Sequence, residues 1–253
     1  MKSIVLLQAE RNGSQGFQCQ NLSLAGHNDW RLPTYKELAS ILYFGFSSSH
    51  RYALNETFFQ STATTKANGR YWTSSTFAGD TNFAWTFRYW SSYYSDIGYT
   101  ELASKINNTT TVVKCVRGSS LQSPNFANNG NGTITDTTTG LMWQQQDDGI
   151  TKTWENAIKY CESLSLAGYD DWRLPNIKEL SSIVDTSTYN PAADITYFPM
   201  DMTTTTNRWW SSTYNPGDAH YQYVYSVDFY DGEWQPLSEP NYLNHSRCVR
   251  GGH

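Results

Sequence analysis

Asp170-Asp171-Trp172-Arg173-Leu174-Pro175-Asn176-Ile177-Lys178-Glu179-Leu180 has a second copy in the same chain, Asn28-Asp29-Trp30-Arg31-Leu32-Pro33-Thr34-Tyr35-Lys36-Glu37-Leu38. The agreement extends upstream, where Cys19…Leu22-Ser23-Leu24-Ala25-Gly26 is echoed by Cys161…Leu164-Ser165-Leu166-Ala167-Gly168. A repeat this literal records duplication, so the chain reads as two versions of one domain. Its 253 residues suffice for two domains, each with its own core. The expected division is residues 1–118, a linker over 119–125 rich in Ser, Gln and Pro, and residues 126–253.

The motif also predicts local structure. Thr34 with Glu37, and Asn176 with Glu179, have the spacing of a capping box. A helix is expected to start at each and to run to about Leu42 and about Val184. Trp154, Ala157, Ile158, Cys161 and Leu164 follow helical spacing and predict a helix over 154–164. Its counterpart over Ser14–Leu22 is interrupted by Gly16. Phe58 to Thr65 is expected to be irregular. Tyr71–Thr76 and Val112–Arg117 read as strands, and alternating Phe83, Trp85, Phe87 and Tyr89 predict a strand with one apolar face.

In the second copy, Asn129-Gly130 and Asn131-Gly132 are hairpin chemistry, with Gly140–Gln144 as the return strand. Trp209–Thr213, Val224–Tyr230 and Arg247–Gly251 read as strands, with a turn at Asp231-Gly232. Each copy is therefore expected to hold two helices followed by a twisted antiparallel sheet with long polar and aromatic loops. The fold class is α+β.

The four cysteines allow three connectivities. Duplication favours Cys19–Cys115 and Cys161–Cys248, one bridge per copy; the alternative is four buried thiols. The bridges would close loops of 96 and 87 residues, each contributing about 4 kcal/mol in the chain-entropy model. No CxxC spacing competes for a metal, so the bridges imply an oxidising compartment.

The net charge of −5 and the pI of about 5.5 argue against sequence-independent nucleic-acid binding. Charged residues are 16% of the chain and aromatic residues 15%, so Ser, Thr, Asn and Gln must build much of the polar surface. This composition suits an extracellular binding protein. No apolar run is long enough to span a bilayer. Met1 to Leu7 turns polar at Gln8 too soon for a signal peptide, and reads as a first strand or a clipped start. Any export signal is expected outside this sequence.

Several strings, taken in order, carry a family resemblance. They are Thr139-Gly140-Leu141-Met142-Trp143, Gly168…Asp171-Trp172-Arg173-Leu174-Pro175…Glu179-Leu180, Trp210-Ser211-Ser212-Thr213 and Arg247-Cys248-Val249-Arg250-Gly251. The ordered set resembles the Lcl C-terminal domain family, long a domain of unknown function. The first copy resembles it from Cys19 onward but lacks the Thr-Gly-Leu-Met-Trp opening, for which Ile4-Val5-Leu6-Leu7 is the candidate substitute. The resemblance implies a C-type-lectin-like fold in two tandem copies, and a secreted or cell-surface binding module. Members are similar to adhesin tips, including glycan-binding ones. Others resemble variable proteins of diversity-generating retroelements, which would make residues of about 210–250 the variable region. Formylglycine-generating oxidases share the broad fold, but their reactive cysteine pair is not found here.

The Asp-Trp-Arg-Leu-Pro motif is read as scaffold. Asp29, Trp30, Arg31 and Pro33, and Asp171, Trp172, Arg173 and Pro175, would pack, pair and set the helix entry. The five histidines form no metal pair, and no nucleophile elbow or phosphate loop occurs. No catalytic residue and no resident cofactor are assigned. Glu239-Pro240-Asn241 resembles a calcium-and-mannose loop but lacks the Trp-Asn-Asp partner strand, so calcium is the one cofactor left open.

The stronger binding signal is paratope-like loop composition, with rigid amphipathic rings among short polar groups. The candidate ligand contacts are Tyr214, Asn215, His220, Tyr221, Tyr223, Tyr225, Tyr230, Asp231, Glu233 and Trp234, with Trp90, Tyr93 and Tyr94 in the first copy. The alternative is that many of these rings fill a sheet face. The expected partner is a surface protein or glycan of another cell or host, with neither nucleic acid nor membrane insertion involved.

Overall fold

The computed structural model describes residues 4–6, 19–42, 69–89, 98–106, 111–121, 123–204, 206–218, 221–237 and 240–251. The chain divides into two compact units, Met1–Leu121 and Gln122–His253. Each is a mixed α+β unit built on antiparallel sheets.

The N-terminal unit contains β1 (Ile4–Leu6), β2 (Trp30–Arg31), α1 (Tyr35–Ser40), β3 (Arg70–Thr76), β4 (Phe83–Arg88), β5 (Tyr99–Ser104) and β6 (Lys114–Arg117). Its two sheets have the orders β1-β6-β2 and β3-β4-β5. The C-terminal unit contains β7 (Phe126–Asn128), β8 (Thr133–Asp136), β9 (Met142–Gln144), α2 (Trp154–Glu162), α3 (Ile177–Ser182), β10 (Arg208–Asp218), β11 (Tyr221–Asp228), β12 (Glu233–Leu237) and β13 (Val249–Arg250). Its sheets are β13-β9-β8-β7 and β10-β11-β12. The helix expected over Ser14–Leu22 lies mostly outside the described residues, as does Phe58–Thr65; Cys19 and Gln20 are helical.

The duplication is legible bond by bond. Thr34 and Asn176 each cap a helix through a complete capping box with Glu37 and Glu179. The same glutamates receive the motif arginines. Arg31 reaches Glu37 at 2.8 and 2.7 Å, and Arg173 reaches Glu179 at 2.7 Å on both prongs. Each arginine also donates to a carbonyl of the closing glycine, Gly118 or Gly251, at 3.0 and 3.1 Å. Behind the motif, Arg117 pairs with Asp29 and Arg250 with Asp171.

The carbonyls of Pro33 and Pro175 accept the N–H of Ser74 at 2.8 Å and of Ser212 at 2.7 Å. Those serines sit in the repeated Trp-Thr/Ser-Ser-Ser/Thr string, where both β3 and β10 shift register. Thr73 and Ser211 donate across the shift to the carbonyls of Trp85 and Tyr225, each at 2.8 Å. The second repeated string is therefore a bulge with a hydroxyl completing its hydrogen bonding.

Cys19–Cys115 and Cys161–Cys248 are disulfide-bonded, and no cysteine is free among the described residues. Each bridge lies inside a core. Cys19 and Cys115 pack with Trp30, Trp72, Ala84 and Val113; Cys161 and Cys248 pack with Trp172, Leu174, Trp210 and Val224. Trp30 and Trp172 are thus packing residues whose ring N–H groups donate to the His27 and Leu166 carbonyls.

β1 takes on β6 the place that β9 takes on β13. Ile4 pairs with Val116 and Trp143 with Val249, each partner following the disulfide cysteine by one residue. The N-terminal apolar string therefore does substitute for the Thr-Gly-Leu-Met-Trp opening.

One expectation is corrected on β4. Ala84, Trp85, Thr86 and Phe87 are all buried, so the strand is covered on both faces. Tyr35 of α1 packs on Trp85 and Phe87, while Ala84 faces the disulfide cluster. The small residues are not solvent-facing; they make room for a second layer. Strands β5 and β12 are additions to the expected elements, and β12 places the candidate contacts Glu233 and Trp234 on a strand.

Candidate functional site

The sheet β10-β11-β12 organises the expected contacts of the C-terminal unit. Arg208 pairs with Asp228 at one end of the β10–β11 ladder and Asp218 with Tyr221 at the other. Between Tyr221 and Asp228 the strand spans roughly 20 Å at ~3.3 Å per residue. The candidate residues therefore fall into two groups, not one.

The first group runs from the middle of the β10–β11 ladder, where Tyr214 is opposite Val224, toward the connection. Tyr214 is 37% exposed and stacks on Trp154, with ring centroids 6.4 Å apart. Trp154 opens α2 directly after its cap Thr153, and its indole N–H donates to the Ser211 carbonyl at 2.8 Å. That bond fixes the ring that Tyr214 lies against. Asn215 pairs with the half-buried Tyr223 along the ladder. The chain at Pro240 is tied to the same place, since its carbonyl accepts the Trp154 N–H at 3.0 Å.

The second group is at the β11–β12 turn. Tyr230 is 44% exposed and meets Tyr189, itself 47% exposed, edge-on at 6.3 Å. Two backbone bonds hold the 185–193 loop against the turn: Asn190 N–H to the Tyr230 carbonyl at 2.6 Å, and Ala192 N–H to the Phe229 carbonyl at 2.7 Å. Below them Phe229 is fully buried against Trp209. Gly232 has a φ of 95°, which turns the chain back into β12. Asp231 accepts the Glu233 N–H at 2.9 Å. Burial and the nearby Asp228 push the Asp231 carboxyl up, outweighing the Glu233 N–H and the Arg208 charge.

Two expected contacts are corrected. Tyr225 and Trp234 are fully buried, with their rings packed 6.4 Å apart. Tyr225 lies on the central strand, which is covered on both faces, and Trp234 pairs across from Val227. They belong to the core. His220, Trp90, Tyr93, Tyr94 and Glu239 lie outside the described residues, and Tyr221 is placed only by its backbone pairing. Trp154 and Tyr189 were missed. Their signals were the first helical position after a Thr cap and a Tyr-Asn-Pro turn.

Two polar clusters elsewhere are internal. Arg247 is fully buried and donates to the carbonyls of Gln144, Gln145 and Pro199, with Asp147 3.6 Å away. Burial holds His245 below its ordinary pKa; it stacks on Trp209 at 4.7 Å, with Nε2 3.1 Å from Thr204 Oγ1. The Thr204 hydroxyl has one proton and donates it to the Thr206 carbonyl at 2.8 Å. His245 is thus the donor to Thr204, the reverse of a base activating a nucleophile. Among the described residues no group of three His, Cys, Asp or Glu is placed to hold a metal ion. None of their helices is long and apolar enough to cross a membrane.

The chain is thus a tandem pair of disulfide-bonded α+β units, the second presenting an exposed Tyr214 midway along its second sheet and an exposed Tyr189–Tyr230 pair at the β11–β12 turn. The family model of the Lcl C-terminal domain matches residues 8–117 and again 132–250, and the chain belongs to that family. No curated protein and no solved structure matches the chain.

Proposed function

We propose that this protein is a non-catalytic, extracellular binding module with C-type-lectin-like units, which recognises a protein or glycan on another surface through the C-terminal unit. The observation that carries this reading is the exposure of Tyr214, stacked on the half-buried Trp154, and of the Tyr189–Tyr230 pair. Tyrosine and tryptophan give large contact area at low side-chain entropy cost, and they stack on sugar and peptide alike. Two buried disulfides support an oxidising, secreted or cell-surface setting.

The alternative of a retroelement-diversified receptor remains within this reading. Variation over residues 210–250 would have to spare the buried Trp210, Val224, Tyr225, Val227, Phe229 and Cys248. The formylglycine-type oxidase is disfavoured because all four cysteines are bridged.

A glycan array and a cell-surface binding assay, each with and without calcium, test the proposal. Tyr214→Ala and Tyr230→Ala are expected to weaken binding of whatever ligand is found while leaving the melting temperature in place. Unchanged binding in both variants and in their combination removes the site.

A further inference from the structure

The charge of the chain is divided unevenly. Residues 1–121 carry 11 Lys and Arg against 7 Asp and Glu, whereas residues 122–253 carry 7 against 16. The net charges are therefore +4 and −9. Along the sequence the asymmetry is sharpest in the stretch that carries the second aromatic pair. From Glu179 to Ser246 there are nine carboxylates and a single basic residue, Arg208. Arg208 is already engaged by Asp228, at 3.1 Å.

The duplicated unit gives an internal comparison. On the β4–β5 ladder Arg88 is opposite Tyr99, and on the β11–β12 ladder Asp228 is opposite Glu233 at the corresponding positions. In the N-terminal unit the Arg88 guanidinium lies 5.5 Å over the Tyr99 ring. That unit thus places its own cation on an aromatic face at this end of the sheet. The C-terminal unit has carboxylates at both positions and exposed tyrosines beside them.

Resting on the binding reading above, we propose that Tyr189 and Tyr230, with Asp231 and Glu233, form a docking surface for a basic segment of a partner protein. An arginine or lysine side chain of that segment lies against the rings. Ring faces attract such cations, and a net negative surround raises both their local concentration and their association rate. A sulfated or otherwise polyanionic ligand is disfavoured at this surface by the same field.

The test is anisotropy of a fluorescein-labelled Arg/Gly/Ser peptide titrated with the full chain at low salt. A Gln-for-Arg peptide serves as the neutral control. The Arg peptide is expected to bind, and the Gln peptide is not. Tyr230→Ser and Asp231→Asn are each expected to weaken binding by about five-fold, in line with roughly 1 kcal/mol for such contacts. Asn retains the oxygen that accepts the Glu233 N–H, so the turn is preserved. Asp170→Asn removes the same charge from an exposed position elsewhere in the unit and is expected to have little effect. Equal weakening by Asp170→Asn and Asp231→Asn, or Arg-peptide affinity unchanged by Tyr230→Ser, overturns the proposal. If the Arg peptide never binds while Tyr230→Ser abolishes binding on the glycan array, the cationic ligand is wrong and the binding surface stands.

Discussion

Arg173 and Glu179 meet in a two-pronged ion pair, 2.7 Å on each side, made with the same carboxylate that closes the helix cap at Asn176. Arg31 and Glu37 repeat the arrangement in the other unit. One acidic side chain thus fixes a helix start, a strand and the closing turn together. That convergence accounts for the literal repetition of the motif.

Replacing this carboxylate by an amide is expected to cost about 1–3 kcal/mol, the range for hydrogen bonds to charged groups. Glu37→Gln should cost more than Glu179→Gln, because the Glu37 side chain is 3% exposed and that of Glu179 16%. Burial alone would raise the Glu37 carboxyl, but the bonds from Arg31 and Thr34 hold it below its ordinary value. A depressed carboxyl contributes stability above its unfolded pKa and loses it as pH falls through the folded one. The gap between Glu37→Gln and the parent chain is therefore expected to be complete above about pH 5 and to close only as pH falls below the ordinary glutamate range. Urea unfolding followed by tryptophan fluorescence at several pH values measures it; a gap that persists into acid refutes the assignment.

The position before the last cysteine of each unit separates two outcomes of burying a cation. Arg247 satisfies three carbonyls and sits near Asp147. Lys114 is equally buried, has no hydrogen-bond partner at Nζ among the described residues, and lies 4.4 Å over the Tyr71 ring. Burial lowers its pKa to about 7. Arg247→Met should cost about 3–5 kcal/mol by orphaning its partners. Lys114→Met should instead stabilise, by at least about 1 kcal/mol at neutral pH and below. Between pH 7 and about 10 the unfolded chain binds the extra proton, so the parent gains stability with rising pH and the advantage of Lys114→Met shrinks. A destabilised Lys114→Met, or an advantage that grows with pH, contradicts this account.

Both capping boxes and the duplicated pattern were legible because each depends on side-chain chemistry within four residues. The sheet was less so, for a reason one tetrapeptide shows. Glu37-Leu38-Ala39-Ser40 is helical in α1, whereas Glu101-Leu102-Ala103-Ser104 is part of strand β5. The first follows a Thr cap; the second is drawn into register by β4, from Phe83–Ser104 to Arg88–Tyr99. Tertiary pairing overrides a weak local preference. Strand β12 was hidden by Pro236, which is tolerated on an edge strand. The candidate site was half legible. Tyr214 and Tyr230 are exposed, but no alternation separates them from Tyr225, since the central strand is buried on both faces.

A local strain is also duplicated. Ala25 and Gly26, and Ala167 and Gly168, all have positive φ between residues that bond each other in both directions, Leu24 with His27 and Leu166 with Tyr169. Such a turn asks for two left-handed residues, which Asn-Gly meets better than Ala-Gly. Ala167→Asn is expected to raise stability by about 0.5–1 kcal/mol, and Ala167→Val to lower it. Thermal melting of both variants decides this; equal melting temperatures would show that the turn carries no strain.

The surface tyrosines and their buried neighbours should separate cleanly in a mutational series. Tyr230 has a half-exposed ring whose main-chain bonds survive truncation, so Tyr230→Ala is expected to change stability by no more than about 0.5 kcal/mol. Trp234 is fully buried against Tyr225, and Trp234→Ala opens a cavity worth about 3–5 kcal/mol. Loss of ligand binding in Trp234→Ala therefore carries no information about contact, because an unfolded fraction gives the same signal. The informative comparison is Tyr230→Ala against Tyr214→Ala, both exposed, one at the β11–β12 turn and the other opposite Val224 midway along β11. A ligand small enough to occupy one end should be sensitive to one substitution alone. A ligand spanning the sheet should respond to both, and the double variant should then lose the sum of the two free energies, since sites so far apart are independent.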